Sequence, residues 1–173
     1  GLVGSEMCIR DRYSRGDDIA CLRSDFVEIY EEWIMSFFSP DAYNENLKML
    51  SLAVLFEIEE NLIALTKRKM KEKEVKDWLL LFLIGEEQPD LPLLFPDRFQ
   101  MMKALVEEKE TDKPRLLAKY LKENWYNEKC DCYEAHKSSQ NIYYGYWSFE
   151  AGAIAKILNL DDGNLKDVPY YPC

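Results

Sequence analysis

Histidine occurs once in this 173-residue chain, at His136. No glycine-rich phosphate loop accompanies it, so phosphoryl transfer and hydride chemistry lack their parts. The five cysteines have no framework spacing, which suits a reducing compartment better than a disulfide scaffold. Long apolar runs are missing as well. The most apolar stretch, Trp78 to Ile84, falls well short of the ~20 residues that a membrane-spanning helix needs. Alternating apolar residues never continue long enough to predict a strand. A basic excess is absent too: 22 Lys and Arg stand against 32 Asp and Glu, for a net charge of −10. That argues against binding nucleic acid or an anionic membrane through a basic surface, and it suits a basic protein partner.

What is present is helical period. Hydrophobic residues make up 47% of the chain, enough for a core and too many for a disordered segment. From Asp18, Leu22, Phe26, Ile29, Tyr30, Trp33 and Phe37 recur at threes and fours, which predicts a helix to Phe38. Ser39-Pro40 reads as an N-cap with proline at the first helical position. It opens a second helix with Tyr43, Leu47, Leu50, Val54 and Ile58 inward. Further helices are predicted over Glu60 to Lys69 and Lys73 to Ile84, the latter stopped by Gly85. Pro89, Pro92 and Pro96 hold the next stretch extended or turned. Helices follow from Asp97 to about Glu110, and from a cap at Thr111 or Asp112 through Tyr120 and Trp125 toward His136. After a loop at Ser138 to Asn141, a last helix spans about Tyr146 to Leu158, and Asp161 to Asn164 forms a turn. The expectation is an all-α protein: an antiparallel array of about seven helices with short connections.

Charge is uneven. Residues 13–62 hold eleven acids against Arg15, Arg23 and Lys48, whereas Lys67, Arg68, Lys69, Lys71, Lys73 and Lys76 form a basic run. The basic run reads as a solvated helix face. The acidic helix invites a functional reading, because an acidic face can steer onto a nuclease whose own surface is positive.

Chemistry-bearing candidates are few. Glu150 falls within the stripe formed by Tyr146, Phe149, Ala153, Ile154 and Ile157. A carboxylate there must be paired, hydrogen-bonded or protonated. Tyrosine hydroxyls, a Trp125 or Trp147 indole, or a nearby Lys or Arg could serve it. A structural tie between helices is preferred over a catalytic acid, since no second carboxylate, histidine or nucleophile accompanies it. Cys130, Cys132 and His136 offer three metal ligands, but a structural zinc site wants four, and Cys21 and Cys173 are each distant. Asp161-Asp162-Gly163-Asn164 has the wrong spacing for a calcium loop. Pro96-Asp97 with Glu107-Glu108-Lys109 can be set on a metal-nuclease pattern, yet both segments read as one helix. No cofactor and no metal are expected.

The C-terminal half carries a specific resemblance. Tyr144-Gly145-Tyr146-Trp147-Ser148-Phe149-Glu150-Ala151, with Leu94-Phe95-Pro96, Trp125-Tyr126, His136, Asp161-Asp162 and Tyr170-Tyr171-Pro172, resembles PoNi-type immunity proteins, as does the less specific Leu50 to Leu55 run. Where family members often carry an aromatic residue near Cys132, this chain has cysteine. The resemblance covers about Tyr13 to Cys173. It implies residues 13–72 as the end of an N-terminal helical region and 73–173 as a C-terminal helical domain. Residues 1–12, through Val3 to Asp11, resemble instead a translated sequencing adapter. The native protein would then begin upstream, and the end at Cys173 would be a second truncation. Family members are encoded beside a secreted DNase toxin of the PoNe type, delivered between competing bacteria, including by type VI secretion. The resemblance therefore implies a non-enzymatic, cytoplasmic immunity protein whose partner is that toxin. Asp25, Glu28, Glu31 and Glu32 are the expected contact residues, and Tyr144 to Glu150 the structural signature. The competing readings are a helical scaffold or regulatory protein with another partner, and a metal-dependent enzyme using Glu150, Cys130, Cys132 and His136.

Overall fold

The computed structural model describes residue 9 and residues 12–13, 15–86, 88–107, 113–122 and 149–160. Among them lie seven α-helices and no strand, so the protein is all-α. The helices are α1 (Ile19–Glu32), α2 (Tyr43–Leu55), α3 (Glu60–Glu72), α4 (Trp78–Leu83), α5 (Pro96–Glu107), α6 (Lys113–Tyr120) and α7 (Phe149–Ile157). Asp18 caps α1, accepting from the Ala20 and Cys21 N–H groups. At its far end α1 runs on without a break as a π-helical turn, Trp33–Phe37.

The predicted inner line of α1 holds at Leu22, Phe26, Tyr30 and Trp33, all buried. It fails at Phe37, which is 51% exposed. The chain becomes extended at Phe38, and the Phe38 ring folds back edge-on against Trp33 at 5.5 Å. Phe38 thereby takes the place that helical continuation would have assigned to Phe37. The second helix also departs from expectation. Ser39-Pro40 is not its start: the Ser39 hydroxyl turns onto the Asp41 N–H, and α2 begins at Tyr43. The Ser39 carbonyl is held by the Asn46 side chain at 2.9 Å, which ties the turn to the helix. Likewise α4 starts at Trp78 rather than Lys73, because the residues before it finish α3 and because Asp77 supplies the cap.

Helix α7 is buried from Phe149 through Ala155, the pattern of a helix enclosed on all sides rather than laid on a surface. Its neighbour is α2, and the small side chains Ala151, Gly152, Ala153 and Ala155 allow close approach. The two run parallel. Lys156, near the end of α7, donates to the Leu55 carbonyl at the end of α2 and pairs with Glu57 at 3.2 Å. At the other end, Glu150 lies close enough to Tyr43 to act on its phenol. One hydrophobic core includes residues from every helix.

Four helices stop in the same way. Glu57, Glu74, Gly85 and Asn159 adopt positive φ (50°, 54°, 83° and 53°) after α2, α3, α4 and α7. In each case the residue after it reaches back to a carbonyl five positions earlier: Ile58 to Ala53, Val75 to Met70, Glu86 to Leu81, Leu160 to Ala155. These are Schellman stops, and only glycine enters that backbone region without a Cβ penalty. Glu74→Gly should therefore stabilise the protein by about 0.5–1 kcal/mol, the gain being part-offset by the greater freedom of glycine in the unfolded chain. Thermal unfolding should show a midpoint raised by about 1–4 °C. Gly85→Ala should lower it, and a lower midpoint for Glu74→Gly would contradict this account of the helix end.

Candidate functional site

The acidic helix is α1. Its four expected contact residues do not stand alike. Asp25 is partly buried and held by the Arg12 guanidinium, which also bonds Asp17 at 3.1 Å. Glu28, Glu31 and Glu32 are exposed, and among the described residues none of them has an ion-pair partner. They occupy positions i, i+3 and i+4, one side of the helix. The cation that α1 itself carries, Arg23, is spent elsewhere. It bonds the Phe56 and Glu57 carbonyls at 2.8 and 2.9 Å, closing the end of α2, and reaches Glu59 at 3.1 Å. The Glu59 backbone N–H and Arg23 together hold the Glu59 carboxyl below its ordinary value of 4.5.

A second set of polar groups is buried beneath. Asp77, fully enclosed, accepts three hydrogen bonds: from the Leu80 N–H at 2.9 Å, the Leu94 N–H at 2.8 Å and the Tyr43 hydroxyl at 3.2 Å. One carboxylate thus caps α4, pins the segment before α5 and ties both to α2. Glu150, 7% exposed in the first turn of α7, accepts from the Tyr120 hydroxyl of α6 at 3.1 Å. Burial pushes both phenols well up, and the neighbouring carboxylates push them further, so each stays a donor at neutral pH. Tyr30 and Thr66 make a third tie, 2.6 Å between α1 and α3, with Thr66 donating onward to the Leu62 carbonyl.

Of the expected signature, Phe149 and Glu150 are both buried in α7, while Tyr144, Gly145, Tyr146, Trp147 and Ser148 lie outside the described residues. So do Cys130, Cys132 and His136. Among the described residues no three His, Cys, Asp or Glu side chains are grouped to hold a metal. Pro96, Asp97 and Glu107 share α5, so the carboxylates of the nuclease-like pattern sit on one helix. Sequence reasoning missed Asp77. An acid placed just before Trp78-Leu79-Leu80-Leu81 is an N-cap signature, but the charged run ahead of it looked helical.

Residues 75–173 match the family described as PoNe immunity proteins (PoNi), C-terminal, and residues 5–67 match PoNe immunity protein (PoNi), N-terminal. The chain belongs to the PoNi family. The N-terminal match begins within residues 1–12, and Ile9 of that segment packs in the core. Among curated proteins nothing matches the chain. Among solved structures, the crystal structure of protein PA2201 from Pseudomonas aeruginosa shares the fold of this PoNi chain with a TM-score of 0.68. Its sequence identity is 21%, over 98% of this chain and 69% of that one. No helix among the described residues is long and apolar enough to cross a membrane.

Two kinds of outcome are expected, the first a loss of stability. Replacing Asp77 with alanine strands the Tyr43 hydroxyl and two backbone donors, and should cost about 3 kcal/mol or more in urea unfolding. Tyr120→Phe, which strands only the Glu150 carboxylate, should cost about 1–3 kcal/mol. The second outcome is a pH effect at Glu59. A carboxyl lowered by folding adds stability above its unfolded value of 4.5 and loses it as pH falls through the lower folded value. Glu59→Gln should therefore lower the melting midpoint at pH 7, and the difference should shrink as pH falls below 4.5. A gap that widens toward acid would reverse the assignment.

Proposed function

We propose that this PoNi chain protects its producer and kin by binding and neutralising a secreted PoNe-type DNase toxin in the cytoplasm, as part of interbacterial competition that includes type VI delivery. On this reading residues 13–72 and 73–173 are the two helical regions of the immunity protein, and the first carries the docking helix. The protein then acts by occupation and not by turnover: its acidic side lies against the cationic surface with which a nuclease holds DNA.

The observation that carries the reading is the row of exposed acids Glu28, Glu31 and Glu32 on α1, without an ion-pair partner among the described residues, in a chain of the PoNi family. Like charges three and four apart on one helix repel, by about 0.2–0.5 kcal/mol per pair. A cationic partner converts that internal cost into attraction. The buried carboxylates serve a different purpose, since Asp77 and Glu150 are enclosed and engaged by hydrogen bonds.

The test is co-purification of the chain with the nuclease encoded beside its gene, then repetition with Glu28, Glu31 and Glu32 each changed to Lys. The expected result is a stable wild-type complex and association slowed by about 10-fold or more in the reversed variant at low salt, the gap narrowing as salt rises. Undiminished binding by the variant removes the acidic face from the reading. Failure of the wild type to bind removes the toxin-neutralising function itself.

A further inference from the structure

The acidic row does not end in a polar cap. Four residues past Glu31 stands Met35, 56% exposed, and Phe37 follows at 51%. Glu28, Glu31, Glu32 and Met35 occupy positions i, i+3, i+4 and i+7, one side of the helix, opposite the buried line of Phe26, Tyr30 and Trp33. The end of this helix is also where it widens into a π turn, and where Phe38 has turned inward onto Trp33 and left Phe37 outside. Single exposed apolar residues need no explanation. Here two large ones, a pliant thioether that continues the row and a ring two residues on, are exposed at the end of a helix whose outward Glu28, Glu31 and Glu32 lack any cation among the described residues. Interface centres are enriched in aromatic side chains and Met, with charge at the rim.

Resting on the toxin-binding reading above, we infer that Met35 and Phe37 are the anchoring residues of the docking surface, and that its occupant is a cationic protein face bearing an apolar notch. Charge complementarity selects that occupant. Arg23 is the one cation between Ile19 and Phe37, and it is turned to the end of α2, so the outward charge that α1 itself brings beside the two apolar side chains is negative; α3, which carries Lys67, Arg68, Lys69 and Lys71, packs against the same π turn. The division of labour follows. The carboxylates speed encounter, which salt screens, while Met35 and Phe37 slow departure, which salt leaves largely unchanged. Asp25 contributes less than its neighbours because Arg12 already neutralises it.

The experiment measures association and dissociation rates for the complete chain against the nuclease encoded beside its gene, at low and moderate salt. The variants are Met35→Ala with Phe37→Ala, the single Met35→Lys, and the triple acid-to-lysine reversal, with Leu94→Ala as an exposed apolar control elsewhere. The expected result is dissociation faster by about 10-fold or more for the double variant, with association changed by less than about 3-fold. Met35→Lys, a change at an exposed position that leaves the core intact, should reproduce the loss. The acid reversal should act mainly on association, and Leu94→Ala on neither rate. Dissociation within about 2-fold of wild type for both anchor variants overturns the inference while leaving the acidic docking face standing. So does a self-associating wild type that the double variant renders monomeric, since a second copy is then the occupant. Absence of any wild-type complex defeats the toxin-binding reading instead, and is distinguishable on that ground.

Discussion

Burying α7 along α2 requires a carboxylate to leave water, and the Tyr120 hydroxyl on Glu150 is what makes that possible. A helix enclosed on every side has no solvent face on which to place an acid. Glu150 therefore depends on a donor brought by another element, and α6 brings it. Asp77 sets the same condition farther along, where one carboxylate gathers α2, the start of α4 and the segment before α5. Among the described residues, both acids are hydrogen-bonded by hydroxyl and amide donors and not by cations. That arrangement spares the desolvation of a cation beside each acid, and leaves the carboxylates to be stabilised by hydrogen bonds.

The cations so released serve at helix ends. Arg23 of α1 and Lys156 of α7 converge on the carbonyl end of α2, where Leu55, Phe56 and Glu57 would otherwise present unsatisfied oxygens. This convergence also places the ends of α2 and α7 together, which is why the two lie parallel. Neighbours joined by short connections run antiparallel; a parallel pair requires a long path between them, and here almost a hundred residues intervene. The consequence for function is indirect. Because Arg23 is committed to α2, Glu28, Glu31 and Glu32 keep their charge without a cation among the described residues, and a structural demand at one helix end shapes the electrostatics of another.

Much of this is legible in the sequence. The inward line Leu22, Phe26, Tyr30 and Trp33 follows from spacing alone, since period is a local property of the chain. The stop at Gly85 was legible because glycine announces its own backbone freedom. The equivalent stops at Glu57 and Glu74 were not, because nothing in a glutamate marks it for positive φ; the backbone takes that form where the return hydrogen bonds and the packing of Ile58 and Val75 reward it. The acidic strip was visible as composition. That Asp25 differs from Glu28, Glu31 and Glu32 was not, because the difference is made by Arg12 from an earlier segment.

By itself, then, the order of residues determined the all-α class, most helix spans, the surplus of negative charge on the first helix and membership of a helical immunity family. Each of these is written in local period, capping chemistry or a contiguous motif. Only the tertiary structure decided which tyrosine answers Glu150, which of two adjacent phenylalanines turns inward, and that α2 and α7 lie side by side in the same direction. Those outcomes depend on groups far apart in the chain meeting in a confined volume, where an unsatisfied polar atom or an uncovered ring costs more than any local preference can recover.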